Sequence, residues 1–218
     1  MQQLTPTDRT RHRRLAERGS FDLELINAII DEALICHVGF NVDGAPVVIP
    51  TIHARMGNHV YLHGAVGNNM LRSLDRGVDA CVTMTIIDGL VLARSAFHHS
   101  MNYRSVVLFG KASIVEDDAD KVAALRALTE HLIPGRWAGV RGPSEQELRQ
   151  TMVLALPIQE ASAKVRSGPP NDDEADYSLP VWAGVIPLRL AAAEAICDPR
   201  LRPGIEPPAY AVNYPGPR

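Results

Sequence analysis

Gly64, Gly67, Asn68 and Asn69 form the most concentrated group of residues able to do chemistry in this 218-residue chain. They follow a β-prone run at 60–62 and His63, and they precede Met70, Leu71 and Leu74, whose spacing marks one face of a helix. Glycines at such a turn let the backbone approach a ligand closely, and Asn68 or Asn69 can cap the helix that follows. Unbonded N–H groups at that helix start favour an anion, so the segment reads as a phosphate cradle. An ordinary strand-turn-helix connection has the same outline. The surrounding segments have to decide between the two.

Other chemistries find less support. His98 and His99 are adjacent and would face opposite ways in an extended chain, which rules them out as joint ligands of one ion. His53 and His63 are a better pair, because strands folded about Gly57-Asn58 would set them nearly opposite, although a register slip of one residue separates their faces. No third ligand is evident, so no metal site is expected. The acidic run Glu116-Asp117-Asp118 precedes a helical pattern, where carboxylates favour the N-terminal dipole. There is no Gly-x-Ser-x-Gly elbow, no Gly-Lys-Ser/Thr loop and no His-Glu-x-x-His helix, which removes the hydrolase and nucleotidase classes. Cys36, Cys81 and Cys197 are odd in number and widely spaced, as expected of reduced and mostly buried thiols.

The elements that must hold these residues are mostly strands. Runs at 36–40 and 46–52 flank Asp43-Gly44, a pair that tolerates positive φ, and Met56-Gly57-Asn58 makes the next turn, so three strands precede the cradle. After it, 80–87 reads as a strand, Asp88-Gly89 as a turn, 90–95 as the returning strand and 103–115 as the last. Leu25, Ile26, Ile29, Ile30 and Ala33 recur at helical spacing behind a cap at Ser20, and Ala124, Leu125, Leu128 and Leu132 repeat the pattern. Ser144-x-x-Glu147 is a capping box. The Arg9, Arg11, Arg13 and Arg14 cluster reads as part of a solvated arm spanning 1–21, followed by one domain at 22–190. A proline-rich tail at 191–218 is expected to be extended, either loose or draped over a partner. With 46% apolar residues and a formal net charge of −3, the chain reads as a soluble globular protein with no basic stripe for nucleic acid. It has no apolar run long enough for a membrane. A cytoplasmic location is the expectation.

The motifs Ile49-Pro-Thr51, Tyr61-Leu-His-Gly64 with its glycine turn, Ala93-Arg-Ser-Ala-Phe-His-His-Ser-Met-Asn-Tyr-Arg-Ser105 and Phe109-Gly-Lys-Ala112 occur in a distinctive order. Together they resemble the pyridoxamine 5′-phosphate oxidase-related, flavin-nucleotide-binding proteins, including the nitroimidazole-resistance branch. The resemblance covers roughly 22–190 and extends to Ser162-Ala-Lys-Val-Arg-Ser-Gly168 and Trp182-Ala-Gly-Val-Ile-Pro-Leu188. It implies a mainly β fold with flanking helices, a six-stranded antiparallel split β-barrel, and a homodimer that holds FMN at its subunit interface.

It also implies roles. Ile49, Pro50 and Thr51 would pass beside the flavin, Ser105 would meet its pyrimidine edge, Arg104 would stabilise the anionic reduced ring, and Trp182 would cover the ring from the second subunit. Arg104 as a surface ion pair and Trp182 as a core or interface aromatic are the plain alternatives. The cradle departs from better-known relatives, which carry Arg and Lys where this chain has Asn68 and Asn69. Phosphate binding would then lean on the helix start, on His63 or on Arg72. The expected activity is a flavin-dependent oxidoreductase passing electrons from a donor such as NAD(P)H to a small-molecule substrate. The Arg-x-His segment of true pyridoxamine phosphate oxidases has no counterpart in 188–218. A flavin or haem carrier of the same fold, with histidine as haem ligand, is the competing reading.

Overall fold

The computed structural model describes residues 2–214 and Gly216. In chain order it runs β1 (Gly19–Ser20), α1 (Leu23–Glu32), β2 (Ile35–Val42), β3 (Ala45–Ile52), β4 (Ala54–Met56), β5 (His59–Ala65), α2 (Asn69–Asp75) and β6 (Ala80–Leu92). It continues with β7 (Ser100–Gly110), β8 (Ser113–Ile114), α3 (Asp118–Leu132), α4 (Glu145–Gln150), β9 (Thr151–Pro157), β10 (Glu160–Arg166), β11 (Gly184–Pro187) and α5 (Ala209–Val212). The larger antiparallel sheet has the order β1-β10-β7-β6-β2-β3, with β11 beside β6, and the smaller has β4-β5-β9-β8.

Strand alternation builds the core. Cys36, Val38 and Phe40 of β2, Val82 and Met84 of β6, and Val106 and Leu108 of β7 face inward from the large sheet. Val60 and Leu62 of β5 and Leu154 and Leu156 of β9 meet them from the small one, and the α1 stripe Ile26, Ile29 and Ile30 is fully buried with them. The class is mainly β with flanking helices, as expected. The strands exceed six because pieces as short as β1, β8 and β11 carry too little alternation to be read from sequence. Among the described residues, no helix is long and apolar enough to cross a membrane.

Several local expectations hold. Asp43 and Gly44 take φ of 50° and 84° and close the β2–β3 hairpin. Asp117 caps α3 by accepting from the Ala119 and Asp120 N–H groups, and Ser144 and Glu147 form the capping box of α4. Others need correction. The cap of α1 is Asp22, whose side chain accepts from Glu24 N–H, and not Ser20. Four strands of the two sheets, β2 to β5, lie between α1 and the cradle, because the chain leaves the large sheet at His53 and enters the small one at Ala54. Asp88-Gly89 is not a hairpin turn. It is a bulge inside the continuous strand β6, marked by a register shift between Ile87 and Gly89. The reason is β11, which passes so close that a Cβ on Gly89 would lie 3.0 Å from both the Ile186 carbonyl oxygen and Val185 Cγ1.

Nor is the arm simply solvated. Arg9 pairs with Asp79 and Glu160 and lies 4.7 Å over the Phe109 ring, while Arg11, Arg13 and Arg14 are exposed. The tail returns to its own chain. Arg136 donates to the Tyr210 hydroxyl at 2.6 Å, and Tyr214 donates to the Leu132 carbonyl at 2.8 Å. All three cysteines are unpaired; burial pushes the Cys36 thiol up to about 12, whereas Cys197 is exposed.

The Gly89 contact is testable. Gly89→Val is expected to push β11 off β6 and cost about 1–3 kcal/mol, read as a lower urea midpoint. An unchanged midpoint would mean that the close approach of β11 contributes nothing to stability.

Candidate functional site

The cradle forms where β5 hands the chain to α2. Asn68 N–H donates to the Ala65 carbonyl at 2.9 Å, which closes the turn, and its side-chain oxygen accepts from Leu71 N–H at 3.2 Å, which caps the helix. Buried Leu71 and Leu74 fix the helix against the core. Gly64 is needed for this packing, since a Cβ there would meet Leu71 Cδ1 at 3.0 Å, whereas Gly67 has open space around it. Beside the turn is a cavity of about 670 Å³ lined by Phe40, Val42, Val47, Ile49, Asn68, Asn69, Met70, Arg72, Ser73 and Arg76.

Three of the candidate residues, Ile49, Asn68 and Asn69, therefore come together. Thr51 shares the face of Ile49, while Pro50 pairs with His37 on the opposite one. The cradle is not neutral. Arg72 and Arg76 stand one helical turn apart on the cavity side of α2, and neither is ion-paired among the described residues. Arg76 escapes a reading focused on the turn. Its four-residue spacing from Arg72 was the available signal.

His63 does not join the cradle. It pairs with Val153 of β9 on the face of β5 that lies under α3, while its neighbours Leu62 and Gly64 face the other way. Its cavity, about 530 Å³, is walled by Ile52, Leu125, Leu128, Leu132, Ile133, Trp137 and Val140, with Thr129, Arg141 and Glu147 also contributing. His63 Nδ1 is buried without a hydrogen-bond partner. Burial pushes the imidazole down from its ordinary value, which keeps it neutral and its lone pair available near neutral pH.

The pairing of His53 with His63 fails on register. Ala54 is opposite Tyr61, so the next step places Leu62, not His63, across from His53. His53 is instead fully buried, its Nε2–H donating to the Ile30 carbonyl at 2.9 Å. Its ring lies 5.0 Å from that of His131, which donates to the Ala33 carbonyl at 2.8 Å. The two imidazoles thus satisfy carbonyls at the C-terminal end of α1. Among the described residues, no group of three His, Cys, Asp or Glu side chains is arranged to hold a metal.

Arg104 and Ser105 leave opposite faces of β7. Ser105 lies between Thr85 and Lys164 on the outer face of the large sheet. Arg104 is gripped by two carboxylates: it pairs with Glu32, and its Nε and Nη2 donate to Asp88 at 3.0 and 2.7 Å. These partners hold its guanidinium above its ordinary value and cancel its charge, so the ion-pair alternative describes it. Trp182 is 65% exposed beside Gly184 and lines neither cavity.

A model of the pyridoxamine 5′-phosphate oxidase family matches residues 22–165. The chain belongs to the pyridoxamine 5′-phosphate oxidase family. Among solved members of this fold, the flavocytochrome Anf3 of Azotobacter vinelandii is 41% identical over 95% of this chain and 97% of its own, with a TM-score of 0.89. An FAD- and haem-binding protein of Mycobacterium smegmatis is 35% identical over 92% and 98%, with a TM-score of 0.87. A Bacteroides thetaiotaomicron protein assigned to 5-nitroimidazole antibiotic resistance is 26% identical over 66% and 84%, with a TM-score of 0.56. No curated protein sequence matches.

Burial of His53 has a consequence for pH. Its imidazole is pushed down from 6.5 to about 4, mainly by desolvation, so between those values the unfolded chain binds the proton and the folded one does not. The stability it contributes is complete above 6.5 and is lost as pH falls toward 4, on the order of 3 kcal/mol. His53→Gln, which keeps a donor for Ile30, should flatten that part of the stability profile in urea titrations. If the profile keeps its slope in the variant, other groups carry the acid sensitivity.

Proposed function

We propose that this family member is a two-cofactor redox protein, with a flavin nucleotide in the Ile49–Asn68–Asn69 cavity and haem in the His63 cavity. The observation that carries the reading is His63, a half-buried imidazole against apolar walls whose Nδ1 is itself buried and unpartnered. His63 would be the residue to hold a haem iron, and Leu125, Leu128, Leu132 and Trp137 would supply an apolar surround for the macrocycle. Arg141 offers a cation for a propionate, although Glu147 already holds it in a salt bridge at 2.7 Å. The likeness to a flavocytochrome and to an FAD- and haem-binding protein supports the same reading.

In the other cavity, Arg72 and Arg76 supply the phosphate counter-charge that Asn68 and Asn69 lack, and Phe40, Val47 and Ile49 offer an apolar wall. Two arginines a turn apart can span a diphosphate, which favours FAD over the FMN expected from the resemblance. A bound flavin supplies hydride chemistry with a donor such as NAD(P)H, and haem supplies one-electron chemistry. His63 and the cradle glycine Gly64 leave opposite faces of β5, which would keep the two cofactors apart.

A homodimer belongs to this proposal. Ser105 and Trp182 lie outside both cavities of their own chain, and the edge strand β3 exposes Val48 at 62%. Pro46 and Pro50 obstruct addition of another strand to that edge, so a partner would pack on its face.

Reconstitution tests the assignment. Loaded protein should show flavin absorption near ~450 nm and a Soret band near ~400 nm. His63→Ala should lose the Soret band and keep the flavin. Replacing Arg72 and Arg76 with Met should weaken flavin nucleotides by about tenfold or more while sparing riboflavin, which has no phosphate. An unaltered Soret band in His63→Ala would sink the haem assignment. Turnover with NADH or NADPH then separates an oxidoreductase from a carrier.

A further inference from the structure

Away from both cavities, cations gather without counter-charges on the outer face of the large sheet. Lys164 of β10 lies between Ser105 of β7 and Gly19 of β1, so Lys164 and Ser105 leave the same face. Arg166, two residues along, leaves that face opposite Tyr103. The N-terminal arm crosses this surface. Arg9 anchors it on Glu160 and Phe109, and the His12 ring lies directly over Gly19, where any Cβ would collide with it.

Of the six buried or half-buried arginines among the described residues, Arg55, Arg94 and Arg104 find carboxylates. The arginines of the outer face do not. Among the described residues, Arg18, Lys164 and Arg166 form no ion pair. Arg166 is only 8% exposed, yet its partners are neutral: the Asn102 side-chain oxygen and the carbonyls of Gly168 and Pro169. Burial, together with nearby Arg18, pushes its guanidinium down from its ordinary value. Beside them His12 Nε2 is buried with no hydrogen-bond partner. A patch that concentrates like charges and leaves a buried nitrogen unpaired is destabilising unless an anion completes it.

We propose that this face binds a phosphate-bearing small molecule. Lys164 and Arg18 supply its counter-charge, with Arg166 behind them, while His12, Tyr103 and Ser105 supply hydrogen bonds. Several donors drawn from three directions, the arm, β7 and β10, match the several acceptor oxygens of a phosphate better than the two of a carboxylate. The site is separate from Arg72 and Arg76, which line a cavity on the inner side of β2 and β3. It does not depend on the flavin or haem assignment.

Calorimetric titration of inorganic pyrophosphate into the full-length protein tests this. Lys164→Met should weaken binding about tenfold, Lys164→Arg should restore most of it, and Arg72→Met should leave this binding event in place. Arg18→Gln, a change in the arm and outside the core, should weaken it independently. Competition by NADPH would identify the source as a nucleotide, and its absence would identify a free phosphate anion; both outcomes keep the site. Equal pyrophosphate affinity in wild type, Lys164→Met and Arg18→Gln would overturn it, as would a loss caused by Arg72→Met alone.

Discussion

The two-residue period of β5 is the constraint on which the rest of the arrangement depends. Val60 and Leu62 must point inward to close the core between the two sheets. Once they do, Gly64 falls on the same side, where its missing Cβ admits Leu71 and seats α2. His63, between them, is forced to the other face and under α3. A cradle and a histidine pocket thus back onto one strand, held apart by its pleat. The β4–β5 register that follows from the Gly57 turn also separates His53 from His63 and sends His53 to the end of α1.

Charge compensation then decides which cations remain available for ligands. Arg104 stands in a motif associated with flavin, but Glu32 and Asp88 enclose it and leave no net positive charge to offer. Arg9 is likewise spent on Asp79 and Glu160, in docking the arm. Arg72 and Arg76 keep their charges beside the cradle, and Lys164 and Arg18 keep theirs on the outer face. The same residue type is therefore charge-compensated in one place and uncompensated in another. The difference lies in whether a carboxylate from a distant segment reaches it.

The edges of the large sheet are handled differently from its centre. At β3 the prolines remove backbone donors, and the exposed apolar residues there suit face-to-face contact better than strand addition. At the other edge, β1 is only two residues long and is backed by the arm. The β6 bulge admits β11 and brings Asp88 to Arg104, so one irregularity serves both strand packing and the ion pair.

Sequence alone determined the features governed by neighbours along the chain. The positive-φ turn at Asp43-Gly44, the caps at Asn68 and Ser144, the acidic start of α3, the buried stripe of α1 and the family motifs depend on local geometry or on residue order, so they were legible. It also placed Asn68 at the cap of the helix that follows the glycine turn. Tertiary structure decided what depends on partners far away in sequence: the bulge at Gly89 required β11, the silencing of Arg104 required Glu32 from α1, and the fate of His63 required α3. Hydrophobic period states that a residue alternates, but not what lies on the far side of its strand, and that is what separates His63 from the cradle.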